Sequence, residues 1–154
     1  MTTEECETYI QQLHWDTPEP LRNEVKEKLK QMSENQMQML IFPHGKGYWD
    51  GAAEVITAIG LPRVQNIMPG VMEWLQDMNW PGSQIIYDFL CHQKKETILP
   101  HINKALHTAS QQNDEMWLYW MMQLMEEMQI KAEDFTDPET QTIFKRAEDY
   151  YHKE

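Results

Sequence analysis

Ile67-Met68-Pro69-Gly70-Val71-Met72-Glu73-Trp74-Leu75 and Ile98-Leu99-Pro100-His101-Ile102-Asn103-Lys104-Ala105-Leu106 are the two stretches whose reading decides the fold. Pro69 and Pro100 stand 31 residues apart, as do Leu75 and Leu106, a period in the range of helical repeat proteins. In each copy a Pro falls in the first turns of one helix, and a Trp opens the next: Trp80 in the first copy, Trp117 in the second. These two Trp are 37 residues apart, so the polar Ser110-Gln111-Gln112-Asn113 carries the insertion as an exposed loop. Trp15 and Trp49 sit at comparable boundaries, in Leu13-His14-Trp15-Asp16 and Gly47-Tyr48-Trp49-Asp50. Three or four degenerate helix pairs follow, each too small to bury its apolar face alone, so stacking must supply the core.

Outside the repeat, helix-start signals are abundant and strand signals nearly absent. No run combines period-two alternation with β-branched residues, and Asp50-Gly51 stands between no such runs, so no hairpin is expected. Thr2 and Glu5 have the spacing of a capping box for a helix running to about Leu13. Thr17 with Pro18 predicts the next start, with Leu21, Val25, Leu29 and Met32 on one face and Arg22, Lys26, Glu27 and Lys30 as solvated charges on the other. Ser33 and Gln36 suit a capping box before a short helix that Pro43 stops.

Further helices are expected from Asp50 to Gly60, Arg63 to Met78, Trp80 to His92, Glu96 to Ala109 and Glu115 to Met128. Asn79 and Asp114 serve as N-caps. Phe135-Thr136-Asp137-Pro138 starts a last helix in the manner of Thr17-Pro18. Met116 to Met128 is apolar on nearly every side, as a helix packed on both faces requires. The expected architecture is all-α: HEAT-like stacked antiparallel helix pairs, a short α-solenoid of about 7–8 helices in a single domain over residues 1–154.

The composition is that of an ordinary folded domain, with 41% hydrophobic and 25% charged residues. The formal charge of −12 opposes a phosphate backbone or an anionic membrane surface, so neither nucleic acid nor membrane is an expected partner. The excess is uneven: acids outnumber bases 8 to 4 over residues 1–43, 6 to 5 over 44–112, and 11 to 4 over 113–154. Acidic ends suit a basic protein partner, although acids also keep a small domain soluble. Two cysteines, Cys6 and Cys91, form no Cys-x-x-Cys motif and read as small packing residues; with no secretory leader signal, a cytoplasmic location is expected. No apolar run approaches the ~20 residues that cross a bilayer.

The segments Tyr48-Trp49-Asp50 and Ile67 to Gly82, above all Trp74-Leu75-Gln76-Asp77-Met78-Asn79-Trp80-Pro81-Gly82, resemble an uncharacterised bacterial domain-of-unknown-function family, number 5071, of HEAT-like helical proteins. Leu13-His14-Trp15-Asp16-Thr17-Pro18, Asp114-Glu115-Met116-Trp117 and Glu133-Asp134-Phe135 are similar to the same pattern. The resemblance implies a HEAT-like fold and no reaction, substrate or cofactor.

Catalytic signatures are missing from the sequence. No two of the six histidines stand three or four apart, so none pair as helix-borne metal ligands. Neither His-Glu-x-x-His nor Gly-x-Ser-x-Gly occurs, and no cofactor or metal is expected. His44-Gly45-Lys46-Gly47 lacks the spacing of a phosphate loop and reads as a turn. The residues that most resemble a site are Trp49, Asp50, Trp74, Asp77, Asn79 and Trp80, a partner or ligand surface of aromatic rings, acids and an amide. The competing structural account spends Trp74 on packing and Asn79 on capping. The leading functional expectation is a non-enzymatic protein-interaction module, of immunity or inhibitor type; a small-ligand binder or unrecognised enzyme using the Trp74–Trp80 region is the alternative.

Overall fold

The structure is a computed structural model that describes residues 1–153, and it is all-helical, with no strand among the described residues. Eight α-helices follow one another: α1 Thr3–Gln11, α2 Glu19–Leu29, α3 Trp49–Ile59, α4 Met68–Glu73, α5 Ser83–Cys91, α6 Lys95–Gln111, α7 Glu115–Glu127 and α8 Pro138–Tyr151. Short 3-10 segments lie between them, among them Met37–Leu40, Lys46–Tyr48, Gln65–Ile67 and Trp74–Gln76. The chain forms two compact units interleaved in sequence: Met1–Val71 with Asn79–Ile86, and Met72–Met78 with the residues from Tyr87 onward.

In the first unit, α1 packs on α2 and α2 on α3. Cys6 and Ile10 of α1, Val25 and Leu29 of α2, and Ala52, Val55 and Ile56 of α3 are buried. The first start is built as its residues dictate: Thr2 Oγ1 accepts the Glu5 N–H at 3.0 Å and Glu5 Oε1 accepts the Thr2 N–H at 3.1 Å. The second start differs from expectation. Pro18, which has no side-chain acceptor, occupies the cap position itself, and the Thr17 N–H is bonded in a turn to the His14 carbonyl at 2.9 Å. The polar face of α2 is not wholly solvated either, since Arg22 and Lys26 are half-buried.

The helix expected from Arg63 to Met78 is broken into three pieces, with six α residues between two 3-10 turns. Pro69 cannot donate to the Gln65 carbonyl, so the α-helix restarts at Met68 with Pro69 in its first turn. The 31-residue spacing therefore relates helices of unequal length, six residues in α4 against 17 in α6. Trp80 also stands differently, since α5 starts at Ser83. Trp80-Pro81-Gly82-Ser83 has the arrangement of a type II turn, with Pro second, Gly82 at φ 90° third, and the Ser83 N–H on the Trp80 carbonyl at 3.1 Å.

In the second unit, α6, α7 and α8 pack on one another, and α7 also meets the Trp74–Gln76 turn. Trp117, Leu118, Met121, Met122, Leu124 and Met125 of α7 are buried, as a helix covered on both faces demands. The methionines there fill the core. Asp114 caps α7 by accepting the Trp117 N–H at 3.0 Å. At α8 the cap is Asp137, bonded to the Glu139 N–H at 3.0 Å, with Pro138 in the first turn and Thr136 exposed.

α6 and α7 both end in Schellman motifs. After α7, the Ile130 N–H reaches the Met125 carbonyl at 2.8 Å and the Gln129 N–H reaches Glu126 at 3.0 Å, with Gln129 at φ 59°. Asn113, at φ 52°, closes α6 in the same way. Asn tolerates this left-handed conformation, whereas Gln pays about 1–2 kcal/mol for it. Gln129→Gly, at an exposed position, is expected to raise stability by about 1 kcal/mol, read as a thermal midpoint about 2–4 °C higher. An unchanged or lower midpoint contradicts it.

Candidate functional site

The residues singled out from sequence fall into different settings. In the first unit, the Trp49 and Trp80 rings meet edge-to-face with centroids 5.7 Å apart, and Phe42 closes the cluster at 4.9 Å from Trp49 and 5.7 Å from Trp80. Phe42 itself adopts a left-handed φ of 46°, uncommon for a large side chain. The Trp49 indole N–H donates to the Pro43 carbonyl at 3.2 Å. Asp50 Oδ1 accepts the Gly82 N–H at 2.7 Å, just ahead of α5, where unpaired first-turn N–H groups favour a carboxylate. Asn79 is exposed. It stands four residues before α5 begins, outside the cap position expected for it.

Trp74 and Asp77 belong to the other unit. Trp74 has 0% exposure and is a core residue, so the surface expected around it is corrected at this position. Asp77 is half-buried, in extended backbone at the end of the Trp74–Gln76 turn. Trp80 is only half-buried. Its truncation to Ala is therefore expected to cost about 1–2 kcal/mol, mainly lost ring contacts, below the ~3–5 kcal/mol of a fully buried Trp. Urea denaturation of Trp80→Ala checks this; a loss above ~3 kcal/mol would mean the ring is a core anchor.

Sequence reasoning missed a cleft of about 370 Å³ lined by Leu13 and Trp15, by Glu19, Arg22, Asn23 and Lys26 of α2, and by Asp50, Gly51 and Glu54 of α3. Lys26 Nζ and Glu54 form an ion pair on its wall. Arg22 donates from Nη1 to the Trp15 carbonyl at 3.2 Å, while its buried Nε has no hydrogen-bond partner among the described residues. Trp15 is 51% exposed at the same place. The available signal was the four-residue spacings Arg22–Lys26 and Asp50–Glu54, which put each pair on one helix face. Nothing in the sequence placed the two faces opposite each other.

In the second unit, a hollow of about 260 Å³ has Met122, Ile130 and Phe144 at its base and Glu126, Lys131, Glu133 and Glu148 around it. Glu126 accepts from the His152 ring at 2.7 Å, and Lys145 lies 3.4 Å from Glu148.

Two constellations superficially resemble catalytic groups. The Cys91 thiol donates to Glu127 at 3.4 Å; burial first, and then that carboxylate, push its pKa up to about 12, so it stays a thiol and a poor nucleophile. Beside it, burial also raises the Tyr87 hydroxyl, which makes no hydrogen bond of good geometry to Gln123 or Glu127. The second constellation is Thr140 with His107 Nε2 at 2.8 Å, Asn103 Oδ1 at 2.6 Å and Asp137 Oδ2 at 3.2 Å. Thr140 is completely buried, so the network ties the start of α8 to α6 and presents no hydroxyl to a substrate. Among the described residues, no three His, Cys, Asp or Glu are grouped to hold a metal ion.

The family described as a domain of unknown function, DUF5071, matches residues 41–149. The chain belongs to this family. The match takes in Tyr48-Trp49-Asp50, the Trp74–Gly82 string, Asp114–Trp117 and Glu133–Phe135, the motifs that carried the resemblance, and leaves Leu13–Pro18 outside it. The acidic hollow lies within the matched span, whereas the α2 wall of the cleft precedes it. No curated protein and no solved structure matches the chain.

Proposed function

We propose that the protein is a non-enzymatic interaction module, a short HEAT-like solenoid working in the bacterial cytoplasm, whose acidic surface receives a basic protein. An immunity-type or inhibitory role fits that chemistry, because masking a basic toxin or enzyme requires a preformed surface of opposite charge. The observation that carries the reading is the hollow of the second unit, with three carboxylates around a base of Met122, Ile130 and Phe144. A Lys or Arg side chain suits such a place: its aliphatic stem lies on apolar atoms while its head meets carboxylates. Residues 113–154, with 11 acids to 4 bases, extend the same field around it and oppose nucleic acid.

The test compares the tagged chain with a Glu126→Gln/Glu133→Gln/Glu148→Gln variant in capture from the native host. A basic protein is expected to be held by the native chain and at least about tenfold less by the variant, equivalent to ~1.4 kcal/mol. Raising salt to roughly 1 M, where the Debye length is about 3 Å, should release it. Equal capture by both chains, or a complex indifferent to salt, overturns the reading.

A further inference from the structure

We propose that the cleft between α2 and α3 is a binding site for a small zwitterion, a free α-amino acid whose carboxylate meets Arg22 and whose ammonium meets Asp50. Charge balance argues for this class. Lys26 and Glu54 neutralise each other across the wall. That leaves Arg22 against Asp50 and the exposed Glu19. Among the described residues no carboxylate pairs with Arg22, whose guanidinium lines the cleft with only the Trp15 carbonyl on Nη1. A carboxylate in the cleft supplies the missing counter-charge with the planar geometry a guanidinium favours. Asp50 uses Oδ1 on the Gly82 N–H and, among the described residues, has no bond to Oδ2, which leaves an acceptor for an ammonium group.

A simple anion would satisfy Arg22 but meet two unneutralised carboxylates, and a simple cation would meet the guanidinium. Only a ligand carrying both charges pairs with both sides. The half-exposed Trp15 ring at the same cleft offers a platform for an apolar side chain. A volume of about 370 Å³ lies at the small end of the range for ligand sites. The site is separate from the acidic hollow of the second unit, so either proposal can fail alone.

The experiment titrates the full chain with each free proteinogenic amino acid up to about 10 mM, well beyond millimolar Kd values, reading backbone amide shifts around Trp15, Arg22 and Asp50. At least one amino acid with an apolar side chain is expected to bind there saturably. Its N-acetyl derivative, which keeps the carboxylate, and its amide, which keeps the ammonium, should each bind at least tenfold more weakly. Arg22→Gln should bind at least tenfold more weakly with an unchanged thermal midpoint. Asp50→Asn, which retains an oxygen for Gly82, provides a second variant with the same expectation. Absence of binding by every free amino acid overturns the proposal, as does undiminished binding to Arg22→Gln. Equal binding of the N-acetyl form overturns it in favour of a peptide carboxy-terminus.

Discussion

Trp117→Ala is expected to lower unfolding stability by about 5 kcal/mol, the largest single-residue loss predicted for this chain. Two effects add. Trp117 is 1% exposed in α7, so truncation removes a large apolar surface and leaves a cavity that packed neighbours fill only partly, worth about 3–5 kcal/mol. Its indole N–H also donates to the Met72 carbonyl at 3.0 Å in a buried setting. Met72 lies near the end of α4, where carbonyls have outrun their helical donors, so its loss costs about 1–3 kcal/mol more. Trp117→Phe separates the parts: it keeps most of the ring and should cost about 2 kcal/mol. Urea titrations followed by far-UV circular dichroism measure both variants. A loss below ~2 kcal/mol in Trp117→Ala would show that α7 is not the organising helix of its unit.

Gly51→Ala is expected to destabilise the protein by about 2–3 kcal/mol, opposite in sign to helix propensity. Gly51 lies in the first turn of α3, and Ala is ordinarily favoured over Gly within a helix by about 1 kcal/mol. Here an added Cβ would stand 2.8 Å from the Leu13 carbonyl oxygen and 2.9 Å from Leu13 Cβ. Neither atom can swing away as a side-chain tip does, so α3 or the start of the α1–α2 connection must shift. Gly45→Ala is the control: nothing lies within 4 Å of its added Cβ, and no measurable change is expected. A thermal midpoint for Gly51→Ala at or above the native one would mean that α3 does not approach Leu13 so closely.

Several local features were legible because their causes lie within a few residues. The Thr2–Glu5 capping box and the Asp114 cap depend on side chains reaching their own neighbouring backbone, and the end of α3 at Gly60 on a left-handed φ of 72° that glycine adopts freely. The apolar run of α7 likewise announced a helix covered on both faces. Misreadings arose where two local signals competed. Pro81-Gly82 has the pattern of a helix start and makes a turn; Pro69 has the place of an early turn in a long helix and instead sets where a short one begins. Family membership was also legible, from a string of residues whose order needs no structure to be seen.

The candidate site was less legible. Trp49, Asp50 and Trp80 do converge around the turn before α5, but Trp74, six residues before Trp80, lies in the core. The α2–α3 cleft escaped notice because Arg22 and Lys26 look like solvent-facing charges on an amphipathic helix. Only the approach of α3 gives Lys26 its Glu54 partner and leaves the Arg22 Nε buried without one. By itself, the sequence determined the helical class, most helix positions and the acidic balance, since these follow from hydrogen-bond geometry, periodicity and composition along the chain. Tertiary structure decided which charges are paired, which Trp rings are core, and where a cleft opens. Those depend on distances between segments tens of residues apart, which packing sets and local pattern does not encode.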